Sequence, residues 1–336
     1  MLDQSISIRA TPALCLLLIV APTAVAALQD VAAGDPPVIP SETRVELLFD
    51  GAYATEGPAV GPDGFVYFSD VTNTARTNMQ AGHIWRYDPR SGETELFRSP
   101  SGMANGIIFD QERRMVVAEG ADFGGRRVTR TDMATGKAVI IAGLYEGRAF
   151  NAPNDLAIDE AGRIYFTDPR YLGHEPVEQP VRGVYRIDPD GTITLIISDV
   201  VMPNGILVSP DQRTLYVASI LRGDTTPRAN ALLAYDLASD GSVRFRETII
   251  DFSPEHGIDG MAIDVDGNLY VGRPVEAWGV YVYRPDGTPN GHIPTPVPVR
   301  NVTFGRGEDA NLLYITGGGN LYRVRIRSNG YHPTRW

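Results

Sequence analysis

Along most of the chain, apolar and polar residues alternate in short runs, and Asp, Gly and Ser fall between the runs. Alternation with period two and turn residues between runs predicts β-hairpins. No amphipathic stretch of about 11 residues or more with a helical period competes for these segments. The runs themselves repeat. Six segments share one outline: a polar residue beside Gly or a small residue, an apolar strand, an Asp/Gly turn, and a second apolar strand. They begin at Glu56 (EGPAVGPDGFVYFSD), Asn105 (NGIIFDQERRMVVAEG), Asn154 (NDLAIDEAGRIYFTDP), Asn204 (NGILVSPDQRTLYVAS), Asp259 (DGMAIDVDGNLYVGRP) and Asn301 (NVTFGRGEDANLLYIT). Successive starts lie 49, 49, 50, 55 and 42 residues apart. A second hairpin follows in the same units, as in HIWRYDPRSGETELF and GVYRIDPDGTITLII. A period near 50 with two hairpins per unit matches four-stranded propeller blades. A β-sandwich gives no reason for six near-equal repeats.

The predicted fold is therefore all-β, a six-bladed β-propeller with four-stranded blades over residues 43–330, followed by a C-terminal tail, 331–336. The last unit offers only three strands, NVTFG, LLYITGG and NLYRVRI. The missing outer strand is available at the other end, in VELLFD (Val45 to Asp50), and pairing it there closes the ring and removes an exposed edge.

The first residues follow a different pattern. Arg9 precedes an apolar run from Pro12 to Val20, and Ala24-Val25-Ala26 follows as a small-residue cleavage site. The run is short of the roughly 20 residues that a membrane span needs. Residues 1–26 read as a cleaved signal peptide, with an uncleaved anchor as the alternative, and a stretch rich in Ala, Gly and Pro makes residues 27–42 a linker. The expected location is secreted or periplasmic, with no membrane span after cleavage. The only cysteine, Cys15, lies in this leader, so the mature chain has no disulfide, thiolate nucleophile or cysteine ligand.

Charge removes further classes. The formal net charge is −11 and no basic stripe is present, which argues against a nucleic-acid partner. Lys137 is the only lysine and sits in an Ala-Thr-Gly-Lys turn, so Schiff-base chemistry is disfavoured.

The first position of each repeat carries the candidate chemistry. In a propeller the inner strand of each blade lines the axial channel, so Glu56, Asn105, Asn154, Asn204, Asp259 and Asn301 are expected to face one centre near one mouth. All six bear side-chain oxygen where a packed core favours Val or Leu. Buried polar groups are costly unless satisfied. A hard divalent cation satisfies them, accepting carboxylate and amide oxygens. Zinc suits the ring less well, because histidine and cysteine are missing from it. The competing reading is that Asn-Gly and Asp-Gly are turn residues.

The motifs Thr55-Glu56-Gly57-Pro58, Pro153-Asn154-Asp155-Leu156, Tyr165-Phe166-Thr167-Asp168-Pro169, Pro203-Asn204-Gly205-Ile206 and Asp259-Gly260-Met261 carry a resemblance. In this order the chain resembles the senescence marker protein 30, gluconolactonase and luciferin-regenerating-enzyme-like family, which includes calcium-dependent propeller lactonases. The resemblance implies Glu56, Asn154, Asn204 and Asp259 as metal ligands, with Asp259 also the catalytic carboxylate. It implies Ca²⁺ as the ion, with Mg²⁺, Mn²⁺ or Zn²⁺ as alternatives. Animal members carry arginine two residues before the position matched by Asn154, where this chain has Ala152, which points away from an identical substrate. Asn105 faces the same mouth and reads either as a substrate-binding amide or as a turn residue.

The expected activity is metal-dependent hydrolysis of a small-molecule lactone or ester, gluconolactonase-like. The rival readings are phosphotriester hydrolysis at the same ion and a non-catalytic binding propeller holding a structural ion. His83, His174 and His256 read as loop residues, and His174, in the Tyr171-Leu172-Gly173-His174-Glu175 insertion, is the one with a possible part in specificity.

Overall fold

The structure is a computed structural model that describes residues 38–78, 82–221, 223–275 and 277–336. The leader and most of the linker lie outside the described residues. Within them the fold is a six-bladed β-propeller, with six four-stranded antiparallel sheets. Helix is confined to single turns such as Thr74–Thr77 and Gly307–Asp309. Among the described residues no helix is long and apolar enough to cross a membrane.

The repeat seen in the sequence corresponds to the two inner strands of each blade. The inner strands are Thr55–Val60, Ala104–Phe109, Leu156–Ile158, Pro203–Val208, Met261–Ile263 and Val299–Phe304. The turn that follows has the same internal logic in blades 1, 3 and 5. The tyrosine hydroxyl of the second strand donates back to the turn carboxylate, Tyr67 to Asp63 at 2.7 Å, Tyr165 to Asp159 at 2.9 Å and Tyr270 to Asp264 at 3.1 Å. Each of these buried phenols thus finds its acceptor in its own turn, 4 residues back in blade 1 and 6 residues back in blades 3 and 5.

The core is distributed rather than central, and its apolar clusters sit between neighbouring blades. Tyr67, Ile84, Ile107, Phe109 and Val117 join blades 1 and 2, and Tyr270, Val280, Phe304, Leu313 and Ile315 join blades 5 and 6. Blades 6 and 1 meet through Val66, Phe68, Leu312, Tyr314 and Leu321. The strand Glu46–Phe49 completes blade 6, pairing antiparallel with Asn320–Arg325, as the sequence predicts. The Arg323 guanidinium forks onto the Glu46 carboxylate at 2.7 and 3.1 Å, and Phe49 packs 5.6 Å from Phe68 across the seam.

Residues 331–336 do not trail away from the ring but cross its far face as a strap. Tyr331 reaches Gln212 and Glu160, His332 bonds the Phe304 and Gly305 carbonyls, and Arg306 donates to both oxygens of Thr334. Trp336 donates to the Asp110 carbonyl and lies 3.9 Å from the Arg306 guanidinium. Tyr331, His332, Pro333 and Thr334 thereby line the floor of the channel at that end.

Deleting residues 45–50 unpairs blade 6 and opens the ring, and is expected to lower the melting temperature by about 10 °C or more. An unchanged thermal midpoint by calorimetry contradicts this closure.

Candidate active site

At the opposite end of the channel from the strap, a cavity of about 500 Å³ opens between the blades. Its walls include Glu56, Asn105, Asn154, Asn204 and Asp259. Five of the six repeat-leading residues therefore line one cavity, supplied by blades 1 to 5.

Local backbone irregularity aims these side chains. Glu56, Asn105 and Asn204 are each the second residue of an inner strand, and in each strand one extra residue is inserted against the partner directly afterwards. Such bulges bend a strand and redirect its side chains. In blades 3 and 5, Asn154 and Asp259 stand just ahead of shorter inner strands. The glycines after these residues serve packing between blades. A Cβ on Gly57, whose φ is +41°, would lie 2.0 Å from the Asn105 carbonyl oxygen, and one on Gly260 would lie 2.0 Å from Asn301 Cγ. The turn reading of these positions, Asn105 included, therefore does not hold: they are channel residues on strands or at strand entries.

Buried carboxylates further out brace two of the positions. Asp70 accepts the Tyr53 and Ala54 amides at 3.0 and 2.9 Å, just ahead of Glu56. Asp168, from the Thr-Asp-Pro motif, accepts the Asn151 and Ala152 amides at 2.9 and 2.7 Å, just ahead of Asn154. Burial pushes Asp168 up to about 7 despite those bonds.

Asn301 departs from the expected ring. It is the third residue of its strand, and it lines the narrower space below the cavity together with Asp155. Its side chain hydrogen-bonds the Asp155 carboxylate, and burial pushes that acid up to about 7.

The electrostatics of the floor are unbalanced. Burial pushes the Glu56 carboxyl well above the usual carboxylate range, and the Asp259 charge raises it further, while Arg300 opposes the rise. Asp259 is pushed up to about 6 by burial, against the Arg300 charge and a hydrogen bond from Asn204. The nearest cation, the Arg300 guanidinium, is 3.8 Å from Glu56 Oε1. The oxygen donors around these acids are under-used. Glu56 accepts only the Gly57 amide, at 3.3 Å, and the side-chain amides of Asn105 and Asn154 bond no other described residue.

That donor set fits a hard divalent cation. Two buried carboxylates carry charge that the protein does not neutralise, and unbonded amide oxygens stand beside them. Among the described residues no three or more His, Cys, Asp and Glu side chains cluster as a metal site. A cation held here must therefore draw on amide oxygen, which is the preference of calcium and magnesium rather than zinc.

Three residues enter the site that the repeat pattern does not announce. Tyr171 comes from the blade-3 insertion, and its hydroxyl accepts from Asn204 Nδ2 at 3.2 Å and donates to the Ile220 carbonyl at 3.3 Å. Arg300, beside Asn301, lines the wall, and so does Arg76, on the turn Thr74–Thr77. His256 also lines the cavity. His174 does not: its ring packs at a tilt against Phe123 with centroids 4.2 Å apart, outside the walls. Within that insertion it is Tyr171 and Leu172 that reach the cavity wall.

The profile of the SMP-30/Gluconolactonase/LRE-like region matches residues 54–319, from the inner strand of blade 1 to blade 6. The chain belongs to this family. It is 31% identical over 318 residues to a gluconolactonase of Zymomonas mobilis, covering 87% of this chain and 84% of that one. The solved structure of a gluconolactonase from Xanthomonas campestris superposes with a TM-score of 0.73 at 30% identity, covering 88% of this chain and 96% of the other. The structure of regucalcin, a calcium-binding protein from Agrobacterium tumefaciens, gives a TM-score of 0.69 at 19% identity, with 87% and 97% covered. That last likeness carries the fold alone. The two solved structures share the fold over most of this family member's chain.

The raised Asp259 has a consequence for stability in protein stripped of divalent cations. Its folded value of about 6 lies above the ordinary 3.8, so the folded state holds more protons between these values. Stability from this group is full below that window and is lost as the pH rises through about 6. Asp259→Asn escapes this loss. In chelator, its melting temperature is expected to gain on that of the native chain between pH 4 and 7, by about 2–4 °C per kcal/mol of relieved penalty. A difference that stays constant with pH contradicts the assignment.

Proposed function

We propose that the protein is a divalent-cation-dependent lactone hydrolase, with Ca²⁺ as the resident ion. The observation that carries this reading is the meeting of Glu56, Asn154, Asn204 and Asp259 at one cavity, with unneutralised acids and the unbonded Asn154 amide among them. Its relatives in Zymomonas and Xanthomonas, both gluconolactonases, support the choice of a lactone over other esters.

Glu56, Asn154, Asn204 and Asp259 would hold the cation, and it would supply Lewis acidity toward the lactone carbonyl and toward the charge that develops there. The chain's own residues do the rest. Asp259 Oδ takes the proton from the water whose oxygen attacks the carbonyl carbon. The ring C–O bond then breaks, and the same proton passes to the departing alkoxide, giving an open hydroxy acid. A carboxylate that also holds a cation is a weak base, and the burial of Asp259 works against that loss of basicity. Asn204 donates to Asp259 and so keeps one lone pair of the carboxylate oriented, while Tyr171 fixes the Asn204 amide in turn. Glu56 contributes charge. Asn105, one blade away and unbonded, is placed to receive a substrate hydroxyl.

The leader over residues 1–26 supports a secreted or periplasmic site of action. Purified protein is expected to release protons from aldonolactones, with the rate lost in chelator and restored by calcium. Asp259→Asn is expected to lower kcat at least ~100-fold with an unchanged circular dichroism spectrum. Full turnover in that variant removes Asp259 from the mechanism, and hydrolysis of organophosphate triesters in place of lactones replaces the substrate class.

A further inference from the structure

Two guanidinium groups line a cavity whose proposed substrate, a lactone ring, carries no charge. Arg300 stands in the inner strand of blade 6, and its carbonyl accepts the Gly260 amide at 2.6 Å. Its backbone is thus tied to the residue after Asp259. Its side chain is 45% exposed and makes one long contact, 3.8 Å to Glu56 Oε1, with no hydrogen bond to any other described residue. The fork of five donors that suits guanidinium to planar anions is unused. Arg76 is exposed on the turn Thr74–Thr77, and its guanidinium has no ion pair among the described residues. That turn is held in place by the Thr74 amide, which donates to Asp122 at 2.6 Å. Asp122 is held in turn by Glu175, which accepts the Asp122 and Phe123 amides at 3.1 and 2.7 Å.

The charge balance of the walls makes these cations available. Glu56 and Asp259 are the acids among the lining residues, against Arg76 and Arg300. A divalent cation on the floor uses both carboxylates. The two arginines are then the uncompensated charge of the cavity, one beside the floor and one in the wall. Neither side chain makes a hydrogen bond between blades, and the one contact across blades is the long 3.8 Å approach of Arg300 to Glu56. Cations that face a ligand cavity without a counter-charge favour a ligand group of opposite sign.

We infer that Arg300 is a specificity-determining residue that receives a carboxylate borne by the substrate outside its lactone ring, with Arg76 adding to the field. On this inference, which rests on the lactonase reading, the substrate class is the lactone of a sugar diacid rather than a neutral aldonolactone. The ring carbonyl would lie over Asp259 and the free carboxylate would turn toward blade 6.

The test compares two lactones of the same ring size, that of glucaric acid, which keeps a free carboxylate, and that of gluconic acid, which does not. The native chain is expected to favour the glucaric lactone about 10-fold in kcat/KM, the size of one modest charge-assisted contact. Arg300→Gln is expected to bring the ratio to about 1, through a rise in KM for the glucaric lactone. Arg300→Lys, which keeps the charge and loses the fork, is expected to fall between, and it decides the matter if the glutamine variant does not fold. A native ratio of 1 or below, or equal losses on both lactones in Arg300→Gln, overturns the inference. If the native chain hydrolyses neither lactone, the lactonase reading fails by itself, and calorimetric titration with the open acids tests Arg300 independently. Glucarate is then expected to bind about 10-fold more tightly than gluconate, with the difference shrinking at high salt and vanishing in Arg300→Gln. Equal binding of the two acids overturns the inference there.

Discussion

The structure depends on how closely the blades approach one another around the axis. At the channel the inner strands are joined by main-chain bonds: the Gly106 amide to the Asn154 carbonyl at 2.7 Å, Gly205 to Asp259 at 3.0 Å, and Gly260 to Arg300 at 2.6 Å. Side-chain hydroxyls of the second strands add to this hoop, with Ser69 donating to the Asn105 carbonyl and Thr167 to that of Asn204. Asn105, Asn154, Asn204, Asp259 and Arg300 are thus also links in the hoop through their carbonyls. Their side chains face the cavity while their backbones carry the contact between blades. This coupling is the means by which a site drawn from five blades keeps one geometry, since its supports are rigid elements rather than loops.

Such a hoop concentrates polar groups where a smaller fold would place its core. The apolar burial is displaced outward into the wedges between blades, where tyrosine, phenylalanine and branched side chains interdigitate. The axis is left free for oxygen-bearing groups whose desolvation is unfavourable by itself. The raised Glu56, Asp155 and Asp259 reflect that unfavourable term, which a cation held as proposed would offset for Glu56 and Asp259.

Much of this is legible in the chain because each blade repeats the same physical problem. The Asp/Gly turn, the small residue after the polar one and the missing strand of blade 6 all follow from period and pattern. Asn301 was less legible: alternation assigns a face but not a depth, and an earlier strand start sets it one layer below its counterparts. Arg300 sits next to a ring residue, where alternation predicts an outward side chain; the register shift between Val299 and Asn301 carries it to the cavity wall. The Tyr171 insertion was visible, yet its histidine drew attention where its phenol reaches the site. The tail has no strand pattern at all, and its docking rests on single polar contacts and one tryptophan that no periodicity reveals.

The seam between Glu46–Phe49 and Asn320–Arg325 also bears on how the molecule forms. The two partners are separated by nearly the whole sequence, so no ring can shut until the last blade has emerged. Until then the chain presents two unpaired strand edges and an apolar flank on blades 1 and 6. High contact order of this kind slows folding and prolongs the exposure of sticky edges. The final zipping step makes the assembly cooperative, and it also makes the half-built ring the state most open to intermolecular pairing.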